Sequence, residues 1–196
     1  MLRLFIGIKI ESLPPITQFQ AYLKKALQSD QINWVDPGNF HITLKFLGDV
    51  KEYYLNSIES ILNSIASRYN SFTLSYGRLG VFGSRNQPRV IWFGFKQNPI
   101  IAQIQSAIEN ELLPLGFKKE DKEFYPHLTL GRVKRISNAN KLFDYIEEKN
   151  PGIHGEYSIS GFQLIRSILK PEGPEYKVVK EFQLMQSDTL SFKNNH

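Results

Sequence analysis

The chain has 196 residues, is 41% hydrophobic and 22% charged, and contains no cysteine. That composition suits a soluble globular domain with a real core, and it excludes disulfides, thiol catalysis and Cys-ligated zinc. A net charge of +5 and a pI near 9.3 are compatible with a phosphate-bearing partner.

Leu2, Leu4, Ile6, Ile8 and Ile10 alternate with Arg3, Phe5, Gly7 and Lys9, which predicts a strand. This apolar run is too short for a signal peptide, and no stretch is long enough to span a membrane, so an intracellular, cytoplasmic protein is expected. Ser12 before Pro14-Pro15 opens a helix to about Gln28. Ile32 to Val35 is a short extended piece, and Asp36-Pro37-Gly38-Asn39 is a turn. A strand over Phe40–Leu47 closes at Gly48-Asp49, and a helix follows over Tyr53–Ala66. Phe72–Phe82 and Arg89–Phe95 read as strands joined by a wide loop at 83–88. Pro99–Leu115 is a helix, and Lys118–Glu123 is a charged, solvated loop. A strand over Tyr125–Val133, a helix over Asn138–Glu148 and a turn at Asn150-Pro151-Gly152 come next. Glu156–Leu169, broken near Gly161, gives one bent strand or two. A turn at 171–175 leads to a last strand over Tyr176–Leu184.

This order repeats. Strand, helix, strand, helix, strand fills 2–82 and again 89–169, with a terminal strand at 176–184. The expected fold is α+β: one domain of two pseudo-symmetric lobes, each an antiparallel-rich sheet backed by helices, with a cleft between them. The repeated central strand carries the same motif, His41-Ile42-Thr43-Leu44 and His127-Leu128-Thr129-Leu130. With four histidines and five threonines in the chain, two His-x-Thr matches arise by chance roughly once in 250 trials. Alternation puts each His and Thr on one face and the apolar pair on the other. A pseudo-two-fold axis would bring both polar faces to one cleft.

Imidazoles titrate near neutrality, so one can act as base and the other as acid in an in-line displacement at phosphorus. Thr43 and Thr129 can donate to the non-bridging oxygens. Neither motif holds a carboxylate, which makes a poor metal site. A metal-free phosphodiesterase follows better than a metallohydrolase, and no cofactor is expected. Lys45 shares the predicted face of His41, and Arg85 and Arg89 lie near the hairpin tip; all three are candidate contacts to the phosphates of a larger substrate. Phe5, Phe46, Phe82 and Trp92 are candidates for base stacking, though alternation turns Phe46 away from His41. His154 and His196 read as surface.

The paired motifs resemble the two-histidine phosphoesterase superfamily, and within it the RNA 2′,3′-cyclic phosphodiesterases once called 2′-5′ RNA ligases. The resemblance runs from Arg3-Leu4-Phe5 and Trp34-Val35 through 41–48, Phe82, 88–92 and 126–132 to Ser167-Ile168-Leu169, Gly173-Pro174 and Tyr176. It implies hydrolysis of a ribose 2′,3′-cyclic phosphate at an RNA end to a 2′-phosphate. His127 would then be the proton acceptor, His41 the proton donor, and Thr43, Thr129 and Arg132 the phosphate contacts. Arg132 has the wrong strand parity for the cleft and needs a bend or bulge near Gly131. The implied partners are RNA ends or small cyclic phosphates, with no membrane and no obligate protein partner, and a monomer is expected. Alternative substrates are small cyclic nucleotides, ADP-ribose cyclic phosphate and 2′-5′ oligonucleotides, or reversible 2′-5′ ligation. A reading from another class is a non-catalytic module that binds RNA ends.

Overall fold

The computed structural model describes residues 1–11, 13–150, 153–171 and 173–186. Ser12, Pro151-Gly152 and His196, and Glu172 of the turn expected at 171–175, lie outside the described residues.

Nine strands form one antiparallel sheet among the described residues. They are β1 (Leu2–Lys9), β2 (Gln31–Trp34), β3 (His41–Val50), β4 (Phe72–Ser84), β5 (Gln87–Phe95), β6 (His127–Arg135), β7 (Gly155–Ile159), β8 (Gly161–Lys170) and β9 (Gly173–Gln183). Four helices accompany them: α1 (Pro14–Ala26), α2 (Leu55–Ala66), α3 (Pro99–Glu111) and α4 (Ala139–Lys149). Each helix buries apolar residues at helical spacing, as with Ile101, Ile104 and Ile108 of α3. The strand order is β7-β4-β5-β6-β3-β1-β8-β9, with β2 also pairing to β6. None of the helices among the described residues is long and apolar enough to cross a membrane.

The order is palindromic about the β3–β6 contact. β5 answers β1, β4 answers β8, and β7 answers β9. The pseudo-symmetry is present, but its halves are not the sequential stretches 2–82 and 89–169. β4, from the first stretch, pairs with β5 and β7, while β8 and β9 return to β1. The halves have exchanged their outer strands, because strand pairing is chosen by face and register rather than by proximity in the chain. The predicted wide loop at 83–88 is also tighter than expected: Ser84 pairs with Gln87, leaving a two-residue turn at Arg85-Asn86. The segment at 156–169 divides into two strands meeting at Ser160.

Candidate active site

β3 and β6 meet through one pair, Ile42 opposite Leu128. Both are fully buried against the helices. Their neighbours therefore point to the open face, and antiparallel register sets His41 beside Thr129 and Thr43 beside His127. All four side chains are half-buried. The sheet thus brings together the four residues that the repeat singled out.

The two imidazoles are held alike. His41 Nδ1 lies 2.7 Å from the carbonyl oxygen of Asn39, and His127 Nδ1 lies 2.7 Å from that of Tyr125. A carbonyl only accepts, so Nδ1 carries the proton and donates it. Nε2 is left for chemistry: a lone pair on the neutral ring, a donor on the cation. Aromatic rings fix each imidazole from the sides. Phe5 (4.7 Å between centroids) and Tyr176 (5.1 Å) flank His41. Phe82 (4.9 Å) and Trp92 (6.4 Å) flank His127. The carbonyl anchors were invisible in the sequence, since any residue supplies one. The matched offset of two residues before each motif was the only signal.

Burial pushes both histidines below the ordinary imidazole range. The carbonyl bonds pull them partly back, and the Arg132 cation lowers both again; His127 adds to the effect on His41. Without a ligand, both rings are neutral near pH 7. A bound phosphodiester anion would oppose burial and offset Arg132, so it would favour the imidazolium. Burial raises the Tyr176 hydroxyl, and the Arg132 and Arg3 cations oppose that.

Arg132 reaches this cleft through a bulge. Along the β5–β6 ladder Ile91 pairs with Gly131 and Trp92 with Thr129, so Leu130 is the extra residue. Leu130 and Gly131 both face the core, and the next side chain, Arg132, emerges on the histidine face. β3 has the same device. Ile6 pairs with Lys45 and Gly7 with Thr43, which makes Leu44 the extra residue. This corrects two expectations based on strict alternation. Lys45 turns into the core, 1% exposed, where its Nζ meets Glu109 Oε2 at 2.5 Å and the Lys118 carbonyl at 2.7 Å. Phe46 turns outward, 57% exposed, with its ring 6.0 Å from Phe5. In β6 the position equivalent to Lys45 is Gly131. A Cβ there would stand 2.9 Å from both Ile32 and the Trp34 indole of β2, so only glycine fits.

The remaining candidates lie further out. Arg85 is exposed but engaged with α4. Its guanidinium bonds Glu147 at 2.9 Å and sits 4.9 Å from the centre of the Phe143 ring. Arg89 is exposed at the register shift between β4 and β5. His154 is exposed, as expected. The charged loop after α3 is more than solvated surface, since the Lys118 carbonyl and the Glu120 amide close over the Lys45–Glu109 pair. Among the described residues no three His, Asp or Glu side chains gather as a metal would require.

The family model described as LigT-like phosphoesterase matches residues 8–92 and 96–176, one histidine motif in each stretch. The chain belongs to the LigT-like phosphoesterase family. The RNA 2′,3′-cyclic phosphodiesterase of Methanocaldococcus jannaschii is 38% identical, covering 92% of this chain and all of that relative. The protein of the same name from Bacillus subtilis is 31% identical over 92% and 95%. Among solved structures, Escherichia coli LigT complexed with 3′-AMP superposes with a TM-score of 0.73 at 25% identity, covering 94% of this chain and 99% of that one. TT0787 of Thermus thermophilus shares the fold, with a TM-score of 0.76, 24% identity and coverage of 94% and 99%. Like those neighbours, this LigT-like chain is an α+β protein built on a curled antiparallel sheet.

Proposed function

We propose that this chain hydrolyses ribose 2′,3′-cyclic phosphate ends of RNA to 2′-phosphates without a metal. The observation that carries the reading is the matched pair of imidazoles. Each has Nδ1 committed to a carbonyl two residues upstream and Nε2 free on the shared face. The names of the curated relatives point the same way.

In the proposed reaction His127 Nε2 takes a proton from water as its oxygen bonds to phosphorus. The P–O3′ bond breaks, and His41 Nε2–H gives its proton to O3′. Each role is worth roughly 10²–10⁴ in rate. Burial disfavours the cation of both rings, so the assignment of His127 as base and His41 as acid follows the match to the family motif. His41 acquires its proton as the phosphate anion enters. The Thr43 and Thr129 hydroxyls and the Arg132 guanidinium meet the charge growing on the non-bridging oxygens. Turnover leaves His127 protonated and His41 neutral, and exchange with solvent resets the pair. Lys45 has no part, since its ammonium is spent in the core. On this reading the protein is a cytoplasmic monomer acting on RNA ends.

The test is to incubate the protein in EDTA with a short RNA ending in a 2′,3′-cyclic phosphate, then identify the product by mass and phosphatase sensitivity. A 2′-phosphate end is expected. A 3′-phosphate would reverse the regiochemistry, and activity restored only by a divalent ion would overturn the metal-free mechanism.

A further inference from the structure

The two sides of the pseudo-two-fold cleft differ at one matched position. Lys9 pairs with His41 across the β1–β3 ladder, and Gly94 pairs with His127 across the β5–β6 ladder. Beside His41, where Lys9 stands, the hollow is only about 60 Å³. On the His127 side, Trp92 and the Tyr125 ring pack over Gly94, and beyond them an open recess of about 620 Å³ extends from Gly94 and Tyr125 toward β4 and β7. That volume is in the range of small-ligand sites, roughly 300–1,000 Å³.

The chemistry of the recess is cationic. Arg78 and Lys96 supply two cations against a single carboxylate, Glu156, and His154 also lines the wall. The side chains of Arg78 and Lys96 have no ion-pair or hydrogen-bond partner among the described residues. They contrast with Arg85 and Lys45, whose charges are partnered. Arg78 is paired in register with Gly94, so one strand step links it to the residue opposite His127. Tyr125 forms the wall between the recess and the catalytic face, and its carbonyl anchors His127. Unpaired cations beside an aromatic ring are what a sugar-phosphate and its base require.

We infer that this recess binds the nucleotide preceding the cyclic end, with its phosphate on Arg78 and Lys96, so that the chain selects an RNA strand over a cyclic mononucleotide. The inference rests on the function proposed above. It makes the lobe carrying β4, β5 and β7 the strand-binding side of the cleft.

The experiment compares a cyclic mononucleotide bearing a 5′-hydroxyl with a trinucleotide ending in the same 2′,3′-cyclic phosphate. Both are assayed with the wild type, Arg78→Ala/Lys96→Ala and the conservative Arg78→Lys/Lys96→Arg. Both positions are exposed, so the fold should survive, and circular dichroism checks this. For the trinucleotide, the alanine pair should lower kcat/KM roughly tenfold through KM at low salt. Its log–log salt slope should fall by about 0.7 for each phosphate that is no longer neutralised. Mononucleotide turnover should stay unchanged, and the conservative pair should restore most of the strand preference. If the alanine pair treats both substrates as the wild type does, or slows both equally, the recess assignment is wrong. If the wild type cleaves neither substrate, the proposed function fails first and the inference falls with it.

Discussion

Replacing Lys45 with methionine separates the core role of this lysine from the RNA contact that strand alternation suggested. Its ammonium lies 2.5 Å from Glu109 Oε2 and is 1% exposed, while the Glu109 side chain is 8% exposed. Glu109 is also held by the Glu120 amide and by Gln105 Nε2, each at 3.3 Å. Methionine fills the space of the aliphatic stem but leaves that carboxylate buried with no counter-charge. Breaking a buried pair this way costs about 3–5 kcal/mol. At roughly 2–4 °C per kcal/mol for a domain of this size, Tm should fall by some 6–20 °C. The double replacement Lys45→Met/Glu109→Leu should recover most of the loss, because it removes both desolvation penalties together. Urea titrations of the wild type, both single variants and the double variant give the coupling energy. Steady-state kinetics at 25 °C give the functional arm, and kcat/KM for Lys45→Met should stay within about twofold of wild type. A stability loss below about 1 kcal/mol together with a tenfold rise in KM would refute the reasoning. It would return Lys45 to the substrate.

Either His41→Ala or His127→Ala should lower kcat by about 10²–10⁴ while the far-ultraviolet circular dichroism stays unchanged; near-normal turnover in a folded variant would remove the acid–base pair. Burial holds both histidines below the ordinary imidazole range, so as pH falls the unfolded chain takes up protons first. Their contribution to stability is therefore fully present above about pH 6.5 and is lost as pH falls toward the folded values. His41→Gln/His127→Gln should flatten this part of the stability profile, and a wild-type stability that rises on acidification across the same window would contradict it. A Cβ at Gly80 would overlap the Trp92 indole. Gly80→Ala should thus cost about 1–3 kcal/mol and displace the ring beside His127. Urea unfolding and the change in tryptophan fluorescence measure this, and an unperturbed Trp92 would show that the strands give way instead.

The period-two runs and the doubled motif made the strands, the α+β class and the four-residue cluster legible in the sequence. Those features depend on local alternation and on a repeat. The side of the sheet taken by Lys45, Phe46 and Arg132 was only partly legible. Arg132 was seen to need a bulge because its parity disagreed with the family pattern. Nothing in 41–48 announced the equivalent bulge at Leu44. It is defined by what β1 places opposite it, more than 30 residues away. Glu109, which makes a buried lysine tolerable, is 64 residues from Lys45. The tight turn at Arg85-Asn86 was hidden by Gly83 and Pro88. These read as loop residues, yet Gly83 pairs with Pro88 inside the ladder at a φ of 111°.

The exchange of outer strands bears on how the molecule is made. During translation β1 emerges early, but its outer neighbour β8 lies more than 150 residues later in the chain. β4 likewise waits for β5 and then β7 to emerge before its two edges are covered. Loop-closure entropy over such separations disfavours early pairing, and neither half of the sheet can close before β7, β8 and β9 have been made. Phe5 and Tyr176, which wedge His41, come from β1 and β9, more than 150 residues apart in the chain. A ribosome-bound fragment would therefore carry the first motif without its packed imidazole, and catalytic competence would arrive only as β8 and β9 close the sheet.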